Sequence, residues 1–130
     1  MAGEALQFPT EGFKDSSIVV NGQLASGAVT VFIGSVPVDC IAERIAFRFA
    51  TAQGATSNVV VKGAASGTAI GSGTALHSGN LDGNATADTV QFATIDTANN
   101  KLTAGSVIGA TLSAHDTIAN ISFSIICRPV

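Results

Sequence analysis

The sequence predicts an all-β protein: an antiparallel β-sandwich, jelly-roll-like, of about eight strands, with an N-terminal arm. Three observations carry that reading. Runs rich in Val, Ile, Phe and Thr are punctuated by Gly and Asn turn residues. The clearest runs alternate apolar and polar residues with period two. They recur roughly every 8–12 residues, and none has a helical period. A chain of 130 residues makes one ordinary domain, so residues 1–16 read as the arm and 17–130 as a single sandwich.

In the arm, Leu6, Phe8 and Phe13 stand among Pro9, Gly12 and charged residues with no sustained period. Apolar anchors on an irregular terminal segment suit a docking tail, and these three residues are the candidate partner-binding set. The plainer role is packing back over one edge of its own sheet. A first strand over 17–20 is expected to end at the Asn21-Gly22 turn dipeptide. A second, 28–36, places Val29, Val31 and Ile33 on one face and Thr30 and Phe32 on the other, and Pro37 stops it.

The strongest strand is 40–50, with Ile45, Phe47 and Phe49 on one face and Arg44, Ala46, Arg48 and Ala50 on the other. Burying each of the three large side chains is worth roughly 1.5–3 kcal/mol, which marks them as core. A fourth strand, 58–62, sets Val59 and Val61 opposite Val60. A Gly-rich stretch over 63–73 precedes a short strand, 74–78. A polar segment follows, turning at Asp82-Gly83. The next strand, 88–95, carries Val90 and Phe92 on one side, and Asn99-Asn100 turns the chain into 101–104. Strands over 107–113 and 118–128 complete the set. In the last, Ile121, Phe123, Ile125 and Cys127 oppose Asn120, Ser122 and Ser124.

Composition excludes several classes of function. Nearly half of the residues are Ala, Gly, Ser or Thr, and Trp and Tyr are absent, so no aromatic platform exists for sugars or stacked bases. Charged residues make up 12%, half the usual share. Such a surface is either partly covered in the working state or simply rich in Ser and Thr. The six basic residues are scattered and the net charge is −3, so nucleic acid is not an expected partner. No apolar run approaches the ~18 residues of a membrane span. The first fifteen residues lack the apolar stretch of a secretory signal. Synthesis in the cytosol is expected, with Cys40 and Cys127 as buried thiols rather than a bridge.

Little side-chain chemistry remains. His77 and His115 are the only imidazoles. His115-Asp116 has many Ser residues for company, but no strained Gly-x-Ser-x-Gly elbow accompanies it, so no catalytic residue is assigned. Asp82, Asn84 and Asp88 could offer oxygens to a cation, yet their spacing does not match an EF-hand loop and they read as a turn cluster. Gly71-Ser-Gly73 precedes no helix whose N-terminus could hold a phosphate. Cysteines without a Cys-x-x-Cys pair make a poor zinc set, so no metal and no cofactor are expected.

The strand Glu43-Arg-Ile-Ala-Phe-Arg-Phe49 is followed by Val59-Val-Val-Lys62 and a Gly/Thr-rich loop. Then come Lys101-Leu-Thr-Ala-Gly-Ser-Val-Ile-Gly-Ala110 and a terminal strand ending Ile125-Ile-Cys-Arg128. In these features residues 41–130 resemble the small β-sandwich proteins encoded beside major capsid proteins in tailed bacteriophages. The Leu102-Thr-Ala-Gly-Ser turn is similar to one in many such virion proteins, with Ser106 where an acidic residue is usual. The resemblance implies a decoration (cement) protein or head fibre, bound to the major capsid protein on the outside of the virion and often a homotrimer. A tail-fibre or carbohydrate-binding module is the alternative, and an enzyme is not expected.

Overall fold

The structure is a computed structural model and describes residues 18–24, 30–114 and 117–130. The strands are β1 (Ile18–Leu24), β2 (Thr30–Ser35), β3 (Cys40–Thr51), β4 (Asn58–Ala64), β5 (Thr74–Ala75), β6 (His77–Ser78), β7 (Leu81–Asp82), β8 (Gln91–Phe92), β9 (Thr94–Ile95), β10 (Lys101–Leu102), β11 (Val107–Leu112) and β12 (Ala119–Pro129). The described residues contain no α-helix, only a single 3₁₀ turn at Ile70–Ser72. No helix among them is long and apolar enough to cross a membrane.

Two antiparallel sheets form the sandwich. Sheet A runs β1-β12-β3-β10, with β8 also paired to β3; sheet B runs β2-β11-β4-β5, with β7 also paired to β4. Number β1, β2, β3, β4, β5, β10, β11 and β12 as strands one to eight. The sheets then read 1-8-3-6 and 2-7-4-5, the order produced by rolling up one long hairpin, which is the jelly roll. The expected fold class is therefore what the chain adopts.

The core lies between the sheets. Ile45, Phe47, Phe49, Ile121, Phe123 and Ile125 of sheet A meet Val31, Ile33, Val59, Val61, Ile108 and Leu112 of sheet B, all buried. Phe47 is central, its ring 5.5 Å from Phe49 and 5.2 Å from Phe123 in tilted pairs. Simple alternation along β3 would send Cys40 and Ala42 outward, since Ile45, Phe47 and Phe49 point in. A bulge corrects this. Ile126 pairs with Arg44 but Cys127 pairs with Ala42, so Glu43 is the extra residue. Glu43 and Arg44 are both exposed, and Cys40 and Ala42 return to the core.

Three sequence expectations change. Asn21-Gly22 does not end the first strand: it lies within β1, paired with Ser124 and Phe123, because β12 offers partners along its whole length. The single strands expected over 74–78 and 88–95 are each broken into two-residue pieces. Buried Leu76 and the β6–β9 ribbon account for the first break. Backbone bonds from Asp88 to the Phe49 carbonyl and from Ala93 to the Ile45 carbonyl pin the second at separate points along β3.

Candidate interaction surface

The outer face of sheet A gathers side chains that no described element covers. Along β3 and β12 the outward positions are Arg44, Ala46, Arg48, Ser122, Ser124, Ile126 and Arg128. Register places them in rows: Val19, Ile126 and Arg44 in one, then Ser124, Ala46 and Phe92 in the next. Phe92 is 59% exposed and Val19 53%. Between them Ala46, Ser122 and Ser124 form a floor of small side chains. The face is thus shallow and mixed, with an aromatic at one margin and a valine at the other.

Its charges are arranged rather than scattered. Arg48 pairs with Asp88 at 2.9 Å and Arg128 with Glu43 at 3.0 Å, both in the open. Such exposed pairs contribute about 0–1 kcal/mol each, so they orient side chains more than they stabilise the fold. Arg44 has no carboxylate partner among the described residues; its guanidinium lies 4.7 Å above the centre of the Phe92 ring. The described body holds five basic and five acidic residues and is neutral. The net charge of −3 belongs to Glu4, Glu11, Lys14, Asp15 and Asp116.

Sheet B presents a different outer face. Phe32 is 59% exposed, but the Ile70 turn closes the surface beside it. A Cβ on Gly109 would stand 2.7 Å from Ile70 and 2.5 Å from the Val31 carbonyl oxygen, so only glycine lets that turn sit down on the sheet.

Among the described residues, those singled out for chemistry do not converge. His77 is buried, and its Nε2 accepts a 3.0 Å hydrogen bond from the Val61 N–H. The neighbouring Leu76 N–H donates to the Val61 carbonyl, so the imidazole stands in for a missing ladder acceptor on β4. An Nε2 that accepts fixes a neutral ring with its proton on Nδ1. Asp82 accepts from the Asn84 N–H, Asn84 donates its side-chain amide to the Gln53 carbonyl, and Asp88 faces Arg48. Those are turn and edge roles. No group of three or more His, Cys, Asp or Glu among the described residues could hold a metal.

Cys40 and Cys127 are both buried, as the sequence reading expected. Burial, reinforced by Cys40, pushes the Cys127 thiol up to about 12. Leu6, Phe8, Phe13 and the His115-Asp116 pair lie outside the described residues.

Sequence reasoning missed the Arg44–Phe92 contact and the structural part of Gln53. Buried Gln53 holds the Thr117 and Ile118 N–H groups through Oε1, at 3.3 and 3.2 Å, and joins three loops at one end of the sandwich. Only the register of β8 on β3 reveals the first, since 48 positions separate the two side chains.

No protein-family model matches the chain, and no curated protein matches its sequence. A chain of the cyanophage Pam1 capsid asymmetric unit has a similar structure. Its TM-score is 0.52 at 13% identity, and the match covers 92% of this chain and 89% of that one. The two chains are therefore similar in length and share a fold over most of it.

Proposed function

We propose that this chain is a structural virion protein that decorates and stabilises the outside of a bacteriophage capsid by binding major capsid protein subunits. The observation that carries the reading is the likeness of its jelly roll, over about nine tenths of both chains, to a chain of a cyanophage capsid. Two features of the molecule accord with it. The described imidazole, His77, serves the fold, and a sheet face that no described element covers presents an arginine stacked on an aromatic ring. The protein acts by binding, not catalysis, and needs no cofactor. It is made in the host cytoplasm and ends on the capsid exterior.

Each contact with the shell is modest, and the repetition of sites on the lattice supplies the strength. The arm, through Leu6, Phe8 and Phe13, docks on the capsid or on a neighbouring copy, and the copies associate as a homotrimer. The test is co-sedimentation of the purified protein with empty shells of the major capsid protein encoded with it. Saturable binding is expected, lost on deleting residues 1–15 while the circular dichroism of the sandwich persists. No binding to shells, or clear hits on a glycan array instead, overturns the reading in favour of a tail-fibre or carbohydrate-binding module.

A further inference from the structure

We infer that Cys40 and Cys127 form a dithiol that a low-molecular-weight disulfide, reacting first at Cys40, closes into an intramolecular disulfide bond across β3 and β12. The inference does not depend on what the protein binds.

Placement is the first argument. Cys40 opens β3 opposite Pro129, and Cys127 of β12 stands opposite Ala42, so the two cysteines are diagonal neighbours on adjacent strands. The bulge at Glu43 turns Cys40 inward; without it the two side chains would lie on opposite faces of sheet A. Both are buried, at 1% and 0% exposure. Directly opposite Cys127 is the small side chain of Ala42, which leaves the sulfur room to lean towards Cys40. Burial raises both thiols, and after burial each one's ionisation is altered by the other, as happens only between close neighbours.

The remaining distance is short. Diagonal neighbours in a sheet stand about 7–8 Å apart at Cα, and a disulfide spans up to about 6.8 Å. Closing the bond therefore draws the strands together by about 1 Å. Both cysteines sit where that is easiest: Cys40 is the first residue of β3 and Cys127 the third from last of β12.

Access is the second argument. A cavity of about 370 Å³ opens on Cys40, walled by Ile41, Leu102, Thr103 and Val130, and Cys127 is not among the residues that line it. An order of events follows. Cys40 gives up its proton, and its sulfur attacks one sulfur of the small disulfide, R–S–S–R. That S–S bond breaks, and the departing R–S⁻ takes up a proton, leaving Cys40 as a mixed disulfide in the cavity. Cys127 then loses its proton, attacks the Cys40 sulfur and expels the second R–S⁻, which leaves as R–SH. Two protein thiols are oxidised, and one disulfide is reduced to two thiols. The new bond closes a loop of about 87 residues, which removes freedom from the unfolded chain.

The experiment treats the reduced full chain, in native buffer, with hydroxyethyl disulfide and reads its intact mass after acid quenching. The expected product is a monomer two hydrogens lighter. Its digest should hold a cross-linked peptide pair carrying Cys40 and Cys127, with no thiol left for iodoacetamide in denaturant. Its Tm should stand about 5–10 °C above that of the reduced chain, and dithiothreitol should reverse the shift. Cys127→Ala should stop at a mercaptoethanol adduct on Cys40, and Cys40→Ala should take no adduct over the same time. Two thiols still reduced after a day, a wild-type adduct that never resolves, or bridges only between chains overturns the inference. So does an adduct that forms on Cys127 of the Cys40→Ala chain as fast as the one on Cys40.

Discussion

Replacing His77 by Phe tests whether the imidazole is part of the fold. The change keeps a ring of similar size in a site that is 4% exposed, and removes the acceptor 3.0 Å from the Val61 N–H. Val61 is itself fully buried, so no water can take the place of Nε2. An orphaned buried donor costs about 1–3 kcal/mol, against the ~1 kcal/mol of an ordinary hydrogen bond. Each kcal/mol is about 3–5 °C in Tm for a domain of this size. Urea unfolding should thus show a lower midpoint with an unchanged slope, the sign of lost stability without a changed denatured state. His77→Gln is the control, because its side-chain oxygen reaches the position of Nε2. It should recover at least half of the loss. If His77→Phe is as stable as the wild type, or Gln does no better than Phe, the imidazole is not the acceptor that completes β4. His77 would then return to the pool of candidates for chemistry.

Three further outcomes are expected. Phe47→Ala should cost about 3–5 kcal/mol, measured by the same urea titration, since its ring joins Phe49 and Phe123 at the centre of the core. Gly109→Ala should cost about 1–3 kcal/mol, and Ile70→Ala should not rescue it, because the Val31 carbonyl oxygen still stands 2.5 Å from the new Cβ. Cys127 is held protonated in the fold up to about 12, above the ordinary 9.0 of a thiol. The unfolded chain therefore releases its proton first. Stability should fall as pH rises from about 9 towards 12, by at most about 1.4 kcal/mol per unit for this group. Cys127→Val should flatten that part of the pH profile.

Much of the fold was legible because period two needs no knowledge of the partner strand. Ile45, Phe47 and Phe49, and again Ile121, Phe123 and Ile125, declare one buried face by alternation alone, and all six are core. Features that depend on pairing were not legible. The bulge at Glu43 follows from how β12 meets β3, so nothing local announces that Cys40 and Ala42 change sides. Asn21-Gly22 has the form of a hairpin turn, but ladder bonds to β12 outweigh that local preference. The fragments β5 to β9 form where two-residue pairings catch a loop, which no composition rule marks in advance.

The candidate surface shows the same limit from the other side. Alternation puts Val90 and Phe92 on one side of a strand; in the structure only Phe92 lies in β8, and both side chains are exposed, at 49% and 59%. Period two separates two faces without saying which one meets the core. For Phe49 the question is settled by its flanks, Arg48 and Ala50, which leave only one apolar face. For Phe92 the flanks are Gln91 and Ala93, and either face could have gone inward. What decides is the short pairing of β8, where Phe92 stands opposite Ala46, an outward residue, and Gln91 opposite Phe47. Gln91 does not enter the core either: its amide turns to bond both backbone groups of Asp82, like a strand of one residue. That substitution frees the edge from needing a second apolar side chain inside. It also leaves Phe92 outside, where Arg44 is the one described side chain stacked on its ring. An aromatic held outward by its partner's register, rather than by a lack of room inside, is a surface feature the fold does not require.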